Sequence, residues 1–390
     1  MENANSTFVA PTKEDAILIT GAAGFLGKNL VARLRCEGYK NLLLYDINST
    51  QEDLLAYAQK ASFVYHLAGV NRPADNAEFY TGNADLTKSL LAAMEEAGST
   101  APILLSSTAQ AGNGSDYGKS KEEAENAVFA YGEKTGKPYF IYRLAGVFGK
   151  WSRPNYNTVV ATFCHNIARG LPIEVRDPAY SLPLCYVDDV VDNFIARMNP
   201  ATPLAPRFER EGGFYLGVEP LYEVTLGWLA GTIRSFAHTR KSLGLPDMSD
   251  GITKKLWATY LSFLPEEDFS YPLAMNVDAR GSFTEFLRTY EHGQVSVNVA
   301  KPGVVKGNHW HDTKNEKFLV VAGRGIIRFR AVGGTAVIEY PVSGEEMQVV
   351  DIPPGYTHNI ENLGDTDLIT VMWASEPYNE DSPDTHFEEV

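Results

Sequence analysis

The chain has 390 residues, 44% hydrophobic and 21% charged, which is a globular composition long enough for two or three domains. Its net charge of −15 disfavours a nucleic-acid or anionic-membrane partner, since an acidic surface repels phosphate. Three dispersed cysteines, Cys36, Cys164 and Cys185, form no disulfide framework, no run approaches the roughly 20 apolar residues of a membrane span, and residues 1–15 hold no signal-peptide core, so a soluble, cytoplasmic protein is expected.

In chain order, residues 1–15 read as a tail. The run AILIT at 16–20 predicts a strand that ends in a Gly-rich turn. Leu26, Leu30, Val31 and Leu34 then share one face of a helix. NLLLY at 41–45 is a second strand, followed by a helix at 51–60 and the strand SFVYHLAG at 62–69. A helix at about 84–97, the strand 102–107, a helix at 116–132 and the strand 138–149 follow. Alternation at this spacing predicts a parallel, doubly wound α/β sheet of Rossmann type over 16–268, with a loop at 199–215. From Phe269 to residue 390 the pattern becomes short alternating strands with turn signals and no helical period, which predicts an all-β barrel or jelly roll.

The turn after the first strand is Gly21-Ala22-Ala23-Gly24-Phe25-Leu26-Gly27. Gly21 permits a tight turn, Gly24 admits a pyrophosphate and Gly27 lets helix and strand approach, while the helix N-terminus offers free N–H groups. Further on, Tyr117 and Lys121 stand four residues apart and share a helix face. A lysine beside a phenol favours phenolate, and the phenol can exchange a proton with a carbonyl oxygen during hydride transfer. Ser106, Ser107 and Thr108 end the preceding strand, where a hydroxyl could steady the same oxygen.

These pieces, with HLAG at 66–69 and YVDDV at 186–190, resemble the extended short-chain dehydrogenase/reductases acting on nucleotide sugars. The resemblance implies Thr108, Tyr117 and Lys121 as the catalytic trio, with Ser107 as the substitute for Thr108. It implies that Gly21, Gly24, Phe25, Leu26, Gly27, Ala68 and Gly69 line the cofactor, and makes Asn157 a candidate diphosphate contact. Only about sixteen residues separate the second strand from SFVYHLAG, so one strand unit usual in that family is missing. Asp46 ends the second strand, where an acid ordinarily binds the ribose 2′-hydroxyl and favours NADH. Family resemblance favours NADPH, which is the cofactor expected here, with Ser49 or Thr50 meeting the 2′-phosphate.

In the β region, His309, His311 and Glu316 are expected on one hairpin, and His358 follows PPGYT. Three histidines and a glutamate make a mixed N/O set suited to one divalent metal, zinc foremost, with iron, manganese or nickel also fitting. This spacing resembles a cupin. The segment from Asp278 to Glu285, DARGSFTE, resembles sugar-nucleotide epimerases of the RmlC type, which makes Arg280 and Glu285 substrate-binding candidates. Lys314, Lys317, Tyr340 and Tyr356 are candidates for proton transfer by chemistry alone.

A reductase fused to an epimerase-like cupin resembles the CapF-type bifunctional enzymes of capsular polysaccharide synthesis over nearly the whole chain, through VNRP at 70–73, PNYN at 154–157 and NHWH at 308–311. The resemblance implies a UDP-linked 4-keto-6-deoxy sugar as substrate, C3 epimerisation in the cupin and reduction of the 4-keto group in the Rossmann domain. A homodimer is expected because cupins leave edges and apolar faces that pair. A reductase whose cupin only binds a ligand or dimerises, and an iron dioxygenase, are alternatives at this level.

Overall fold

A central parallel strand must bury both faces, and β1 (Ala16–Thr20) is buried along its whole length. The computed structural model describes residues 8–156, 158–204, 206–210, 213–289, 293–381 and 383–390. Contacts divide the chain into two compact units, one running through Arg234 together with Lys255–Leu264, the other comprising Ser235–Lys254 and Pro265–Val390. The segment 235–254, inside the first domain as expected from sequence, therefore groups with the second unit. Its main chain explains this, because Arg288 N donates to Leu243 O and Leu245 N donates to Arg288 O.

In the first unit β2 (Leu42–Tyr45), β1, β3 (Ala61–His66), β4 (Ile103–Thr108) and β5 (Tyr139–Leu144) form a parallel sheet in that order. Ile17 and Ile19 pack on one face with Leu30 and Leu34 of α1 (Phe25–Cys36), while Leu18 packs on the other with Leu54 of α2 (Gln51–Lys60). β2 stands at the edge, as the missing strand unit requires. Strand order reverses between β1 and β3, and ligands of such sheets bind at that switch point beyond the strand C-termini.

Two sequence expectations change. The stretch 199–215 is not all loop, because Pro206–Arg210 and Gly213–Leu216 form an antiparallel pair that extends the sheet beyond β5. Phe214 and Leu216 face one core, Phe208 and Tyr215 the other, so burial on both sides overrides the polar flanks. The run 138–149 also splits, since β5 ends at Leu144 and Gly146–Phe148 joins a separate three-stranded sheet.

The second unit has two antiparallel sheets. One runs 276–278, 281–289, 293–300, 368–374, 316–322 and 349–352; the other runs 337–343, 324–331, 356–362, 305–310 and 386–387. Phe318, Val320, Ile327, Phe329, Ile352 and Ile360 form their shared core. In 293–300, Gln294, Ser296, Asn298 and Ala300 all point inward. A polar inward face is unusual for a sheet and marks a lined cavity rather than a filled core.

Behind the first unit's site, Glu125 is fully buried and bound in a fork by Arg143 Nε at 2.9 Å and Nη2 at 2.6 Å, and it accepts from Ser107 Oγ at 2.5 Å. Removing one member of such a pair leaves an uncompensated charge, so Glu125→Ala is expected to lose about 3 kcal/mol of stability. Denaturant unfolding checks this, and a change under about 1 kcal/mol would show that the network contributes little to the fold.

Candidate functional sites

The Gly-rich turn depends on contacts that only glycine allows. A Cβ on Gly27 would stand 2.1 Å from Gly21 O, and one on Gly21, whose φ is +69°, would stand 2.6 Å from Ala68 N. The turn therefore presses β1, α1 and the loop after β3 together. A cavity of about 980 Å³ opens there. Gly21, Gly24, Phe25, Leu26, Gly27, Gly69, Ser107, Thr108, Tyr117 and Lys121 all line it. Ala68 does not; it serves by its backbone, packed against Gly21. Asn157 lies outside the described residues.

The helix Asp116–Thr135 is capped by Ser115, whose Oγ accepts from Gly118 N at 3.0 Å, and it carries Tyr117 and Lys121. Lys121 is buried, and its Nζ donates to Ser106 O at 2.8 Å. Burial pulls its ammonium down to about 8, with Glu125 opposing. Burial also pushes the Tyr117 phenol above its ordinary value, against an opposing hydrogen bond with Thr108, while Tyr156 adds to the rise. The direction is opposite to the lowering expected from Lys121, and it favours the protonated phenol, the form that can donate to a ketone oxygen. The two hydroxyl candidates differ in their partners, since Ser107 is buried and donates to Glu125, whereas Thr108 meets Tyr117.

Asn83 escaped the sequence reading. It accepts from Val70 N at 2.9 Å and donates to Ser120 Oγ at 3.0 Å, tying the loop after β3 to the Tyr117 helix. A single Asn in a helical stretch carries no signal of this. His66 is a satisfied core residue, with Nδ1 2.7 Å from Thr20 Oγ1 and Nε2 2.8 Å from Thr87 Oγ1; burial lowers it to about 3.

Asp46 lies in a separate hollow of about 500 Å³ with Ala22, Ala23, Lys28, Arg35 and Trp151. Its carboxylate accepts from Ala23 N at 2.5 Å and Ile47 N at 2.9 Å. Thr50 is taken up by the α2 capping box with Asp53, and Ser49 Oγ accepts from Asp46 N at 3.0 Å. Lys28 and Arg35 form no ion pair among the described residues.

In the second unit, the strands 305–310 and 316–322 belong to different sheets. His309 and Glu316 are thus not on one hairpin, as expected; the connection 311–315 crosses from one sheet to the other, so the cluster sits between them. His309 pairs across with His358 in the register of one sheet. One ligand atom from each of His309, His311, Glu316 and His358 lies within 4.8 Å of the others. His311 Nδ1 donates to Asp384 O at 2.5 Å, so Nε2 is the ring nitrogen left to face the cluster. That Nε2 faces Glu316 Oε2 at 3.5 Å, and His358 Nε2 faces the same oxygen at 3.4 Å. All three atoms are buried without a hydrogen-bond partner. Burial lowers His309 to about 4; burial by itself would raise Glu316, but hydrogen bonds and charge from His311 and His358 outweigh it and hold the carboxyl well below its ordinary range. Three imidazoles and a carboxylate converging with buried, unpartnered atoms form a donor set that suits a divalent cation.

The cluster opens on a cavity of about 830 Å³ also lined by Arg280 and Glu285. Arg280 pairs with Asp278 at 2.6 Å, and Glu285 is gripped by Arg288 at 2.6 and 2.7 Å. Of the four proton-transfer candidates only Lys314 lines this cavity. Lys317 pairs instead with Asp351, and Tyr340 is exposed. Lys306, Gln294 and Asn298 line it too and were missed. The polar alternation of 294, 296 and 298 was the available signal.

Comparison with known proteins agrees with this two-part architecture. Residues 17–203 match the NAD dependent epimerase/dehydratase family, and residues 276–386 match the polysaccharide biosynthesis C-terminal domain. The chain is 41% identical over 370 residues to a UDP-2-acetamido-2,6-beta-L-arabino-hexul-4-ose reductase of Pseudomonas aeruginosa, covering 95% of this chain and 97% of that one. The crystal structure of the capsular polysaccharide assembling protein CapF of Staphylococcus aureus superposes with a TM-score of 0.88 at 48% identity, covering 96% of this chain and 100% of that chain. A second structure, CapF with the inhibitor 3-isopropenyl-tropolone, gives 0.84 at 44% identity, covering 96% and 100%. Fold and site thus define an enzyme of the nucleotide-sugar oxidoreductase class joined to an all-β unit. The chain belongs to the CapF-type family. Among the described residues no helix is long and apolar enough to cross a membrane.

The Tyr117 phenol should titrate above pH 10, its ordinary value, in the cofactor-free protein. Isotope-labelled tyrosine NMR, with the resonance assigned through Tyr117→Phe, measures this. A phenolate signal at neutral pH would restore the lysine-activated picture.

Proposed function

We propose that the chain performs two successive steps on a UDP-linked 4-keto-6-deoxy sugar. The all-β unit, read as a cupin jelly roll, inverts C3 of UDP-2-acetamido-2,6-dideoxy-β-L-arabino-4-hexulose. The Rossmann unit then reduces C4 with NADPH to give UDP-2-acetamido-2,6-dideoxy-L-talose, on the route to UDP-N-acetyl-L-fucosamine for surface polysaccharide. The observation that carries this reading is the presence of two separate, complete constellations in one chain, Thr108–Tyr117–Lys121 in one unit and the four-residue His/Glu cluster in the other. The Pseudomonas relative, named as the reductase of this hexulose, supports the substrate.

NADPH supplies the hydride to C4 when bound. Thr108 and Tyr117 would meet the carbonyl oxygen, and the protonated phenol would donate as charge develops there. Lys121 would hold positive charge beneath the same oxygen and phenol. For the cofactor's 2′-phosphate, Thr50 and Ser49 are poor partners because the fold already uses them. Lys28 and Arg35 are better placed, sharing the hollow of Asp46, whose own carboxylate is drawn onto the turn.

Zinc held by His309, His311, Glu316 and His358 would polarise the C4 carbonyl and acidify the C3 proton. The tropolone of the inhibited relative bears adjacent oxygens of the kind that chelate such ions. Lys314, on the cavity wall, is the residue we assign to take the C3 proton from one face as the neutral amine, with solvent returning a proton to the other face and Arg280 and Glu285 on the substrate side. Val337, Ile338 and Tyr340 on the edge strand 337–343 and Val349 on the edge strand 349–352 are exposed, and apolar sheet edges of this kind support a homodimer.

The two steps should separate by mutation. In deuterated water without reduced cofactor, the wild type should place deuterium at C3, and His309→Ala should not. Tyr117→Phe should keep the exchange and lose reduction by two orders of magnitude or more, roughly the contribution of a general acid. No exchange by the wild type would leave a reductase alone, with the β unit a binding module. For the cofactor, Lys28→Ala combined with Arg35→Ala should weaken NADPH binding roughly tenfold or more while NADH binding holds. Cofactor fluorescence titration reads this, and equal effects on both cofactors would place the 2′-phosphate elsewhere.

A further inference from the structure

The chain's last residues contact the His/Glu cluster's supporting segments at almost every position. Asp384 has two separate roles. Its main-chain oxygen accepts from His311 Nδ1 at 2.5 Å, which fixes the tautomer and turns Nε2 into the cluster. Its carboxylate accepts from Asp312 N at 2.7 Å, Thr313 N at 2.9 Å and Lys314 N at 2.7 Å, with Thr313 Oγ1 at 3.1 Å. Those three consecutive amides belong to the connection that crosses between the sheets, with His311 just before them and Glu316 just after. Such amides have no ladder partner, and a carboxylate that satisfies three at once holds the crossing in one shape.

The residues that follow extend the grip. Thr385 Oγ1 accepts from Lys314 Nζ at 3.0 Å, and His386 pairs with Asp312 at 2.9 Å and stacks on Trp310 at 4.4 Å. Glu388 N donates to Asn308 O at 3.0 Å, Thr357 Oγ1 donates to Glu388 O, and Arg330 binds the Glu388 carboxylate at 2.8 Å. Neighbours of His309, His311 and His358 are thus all tied to one short segment. Asp312, Asp384 and His386 do converge, but the carboxylate oxygens of Asp384 are already taken by amides, so they brace the first cluster rather than form a second ion site.

We propose that residues 384–388 are a clasp that preorganises the metal cluster, with Asp384 as its positioning residue. This rests on reading the cluster as a metal site. A metal ligand's affinity depends on the group that orients its other ring nitrogen, and loss of such an orienting group ordinarily weakens binding roughly ten- to hundredfold. The clasp acts on both His311 and the crossing that delivers Glu316, so its loss disturbs two ligands together.

Zinc affinity of the full-length protein, measured by competition with a chromophoric chelator, tests this. Wild type should bind one zinc, and Asp384→Ala should bind it at least tenfold more weakly, with unchanged NADPH affinity reporting that the first unit is intact. Both variants keep the main-chain carbonyl, but Asp384→Asn also keeps one acceptor oxygen for the amides of 312–314, so it should recover part of the affinity. Undiminished zinc affinity in Asp384→Ala overturns the clasp while leaving the metal site standing. Failure of the wild type to bind zinc, or full binding by His309→Ala, overturns the metal reading and the clasp with it. If Asp384→Ala does not fold, hydrogen exchange of the wild type decides: zinc should slow the amides of 312–314 and 386–388, and exchange indifferent to zinc refutes the coupling.

Discussion

Burial of ionisable groups sets the terms for both sites. A charge taken out of water costs several kcal/mol unless a partner replaces the solvent. The first unit meets this with partners of its own. Glu125 has Arg143 and Ser107, Lys121 has the Ser106 carbonyl, and His66 is kept neutral between two hydroxyls. In the second unit the buried atoms His311 Nε2, His358 Nε2 and Glu316 Oε2 converge with no partner. The same physical demand is thus met by the chain's own partners in one unit and left unmet at the His/Glu cluster of the other.

The first arrangement decides the chemistry of Tyr117. A lysine four residues along a helix suggests an activated phenolate, yet Lys121 Nζ donates to a main-chain oxygen and burial pushes the phenol up. An acid poised beside Thr108 suits the reductive direction. The buried Glu125–Arg143 pair lies directly behind Ser107 and takes up its hydroxyl, whereas Thr108 lines the same cavity beside Tyr117.

In the second unit the cavity exists because one strand turns polar residues inward. Gln294, Ser296 and Asn298 take positions that a sandwich core would fill with aliphatic side chains. The aliphatic core is displaced to Phe318, Ile327, Ile352 and their neighbours, and the His/Glu cluster sits at the border of the two regions. There one side of the cluster packs on the apolar core, and the other opens on the cavity.

The local patterns of the chain determined a good deal alone. The five parallel strands, the glycine turn, the Tyr117–Lys121 spacing and the four candidate ligands were legible because each rests on short-range rules: period, turn chemistry and helical spacing. What only the tertiary structure decided involves partners distant in sequence. Ser107 and Thr108 are adjacent hydroxyls in the chain, and only the packing of Glu125 separates their roles. The loop expected at 199–215 became a strand pair because both of its faces found cores. The hairpin expected for His309 and Glu316 became a crossing between sheets, since a run of alternating residues does not state which strand it will pair with. Asp384, about seventy residues from the ligands it braces, bears no local mark of that role. Its hydrogen bonds exist only once the chain's end has returned to the cluster.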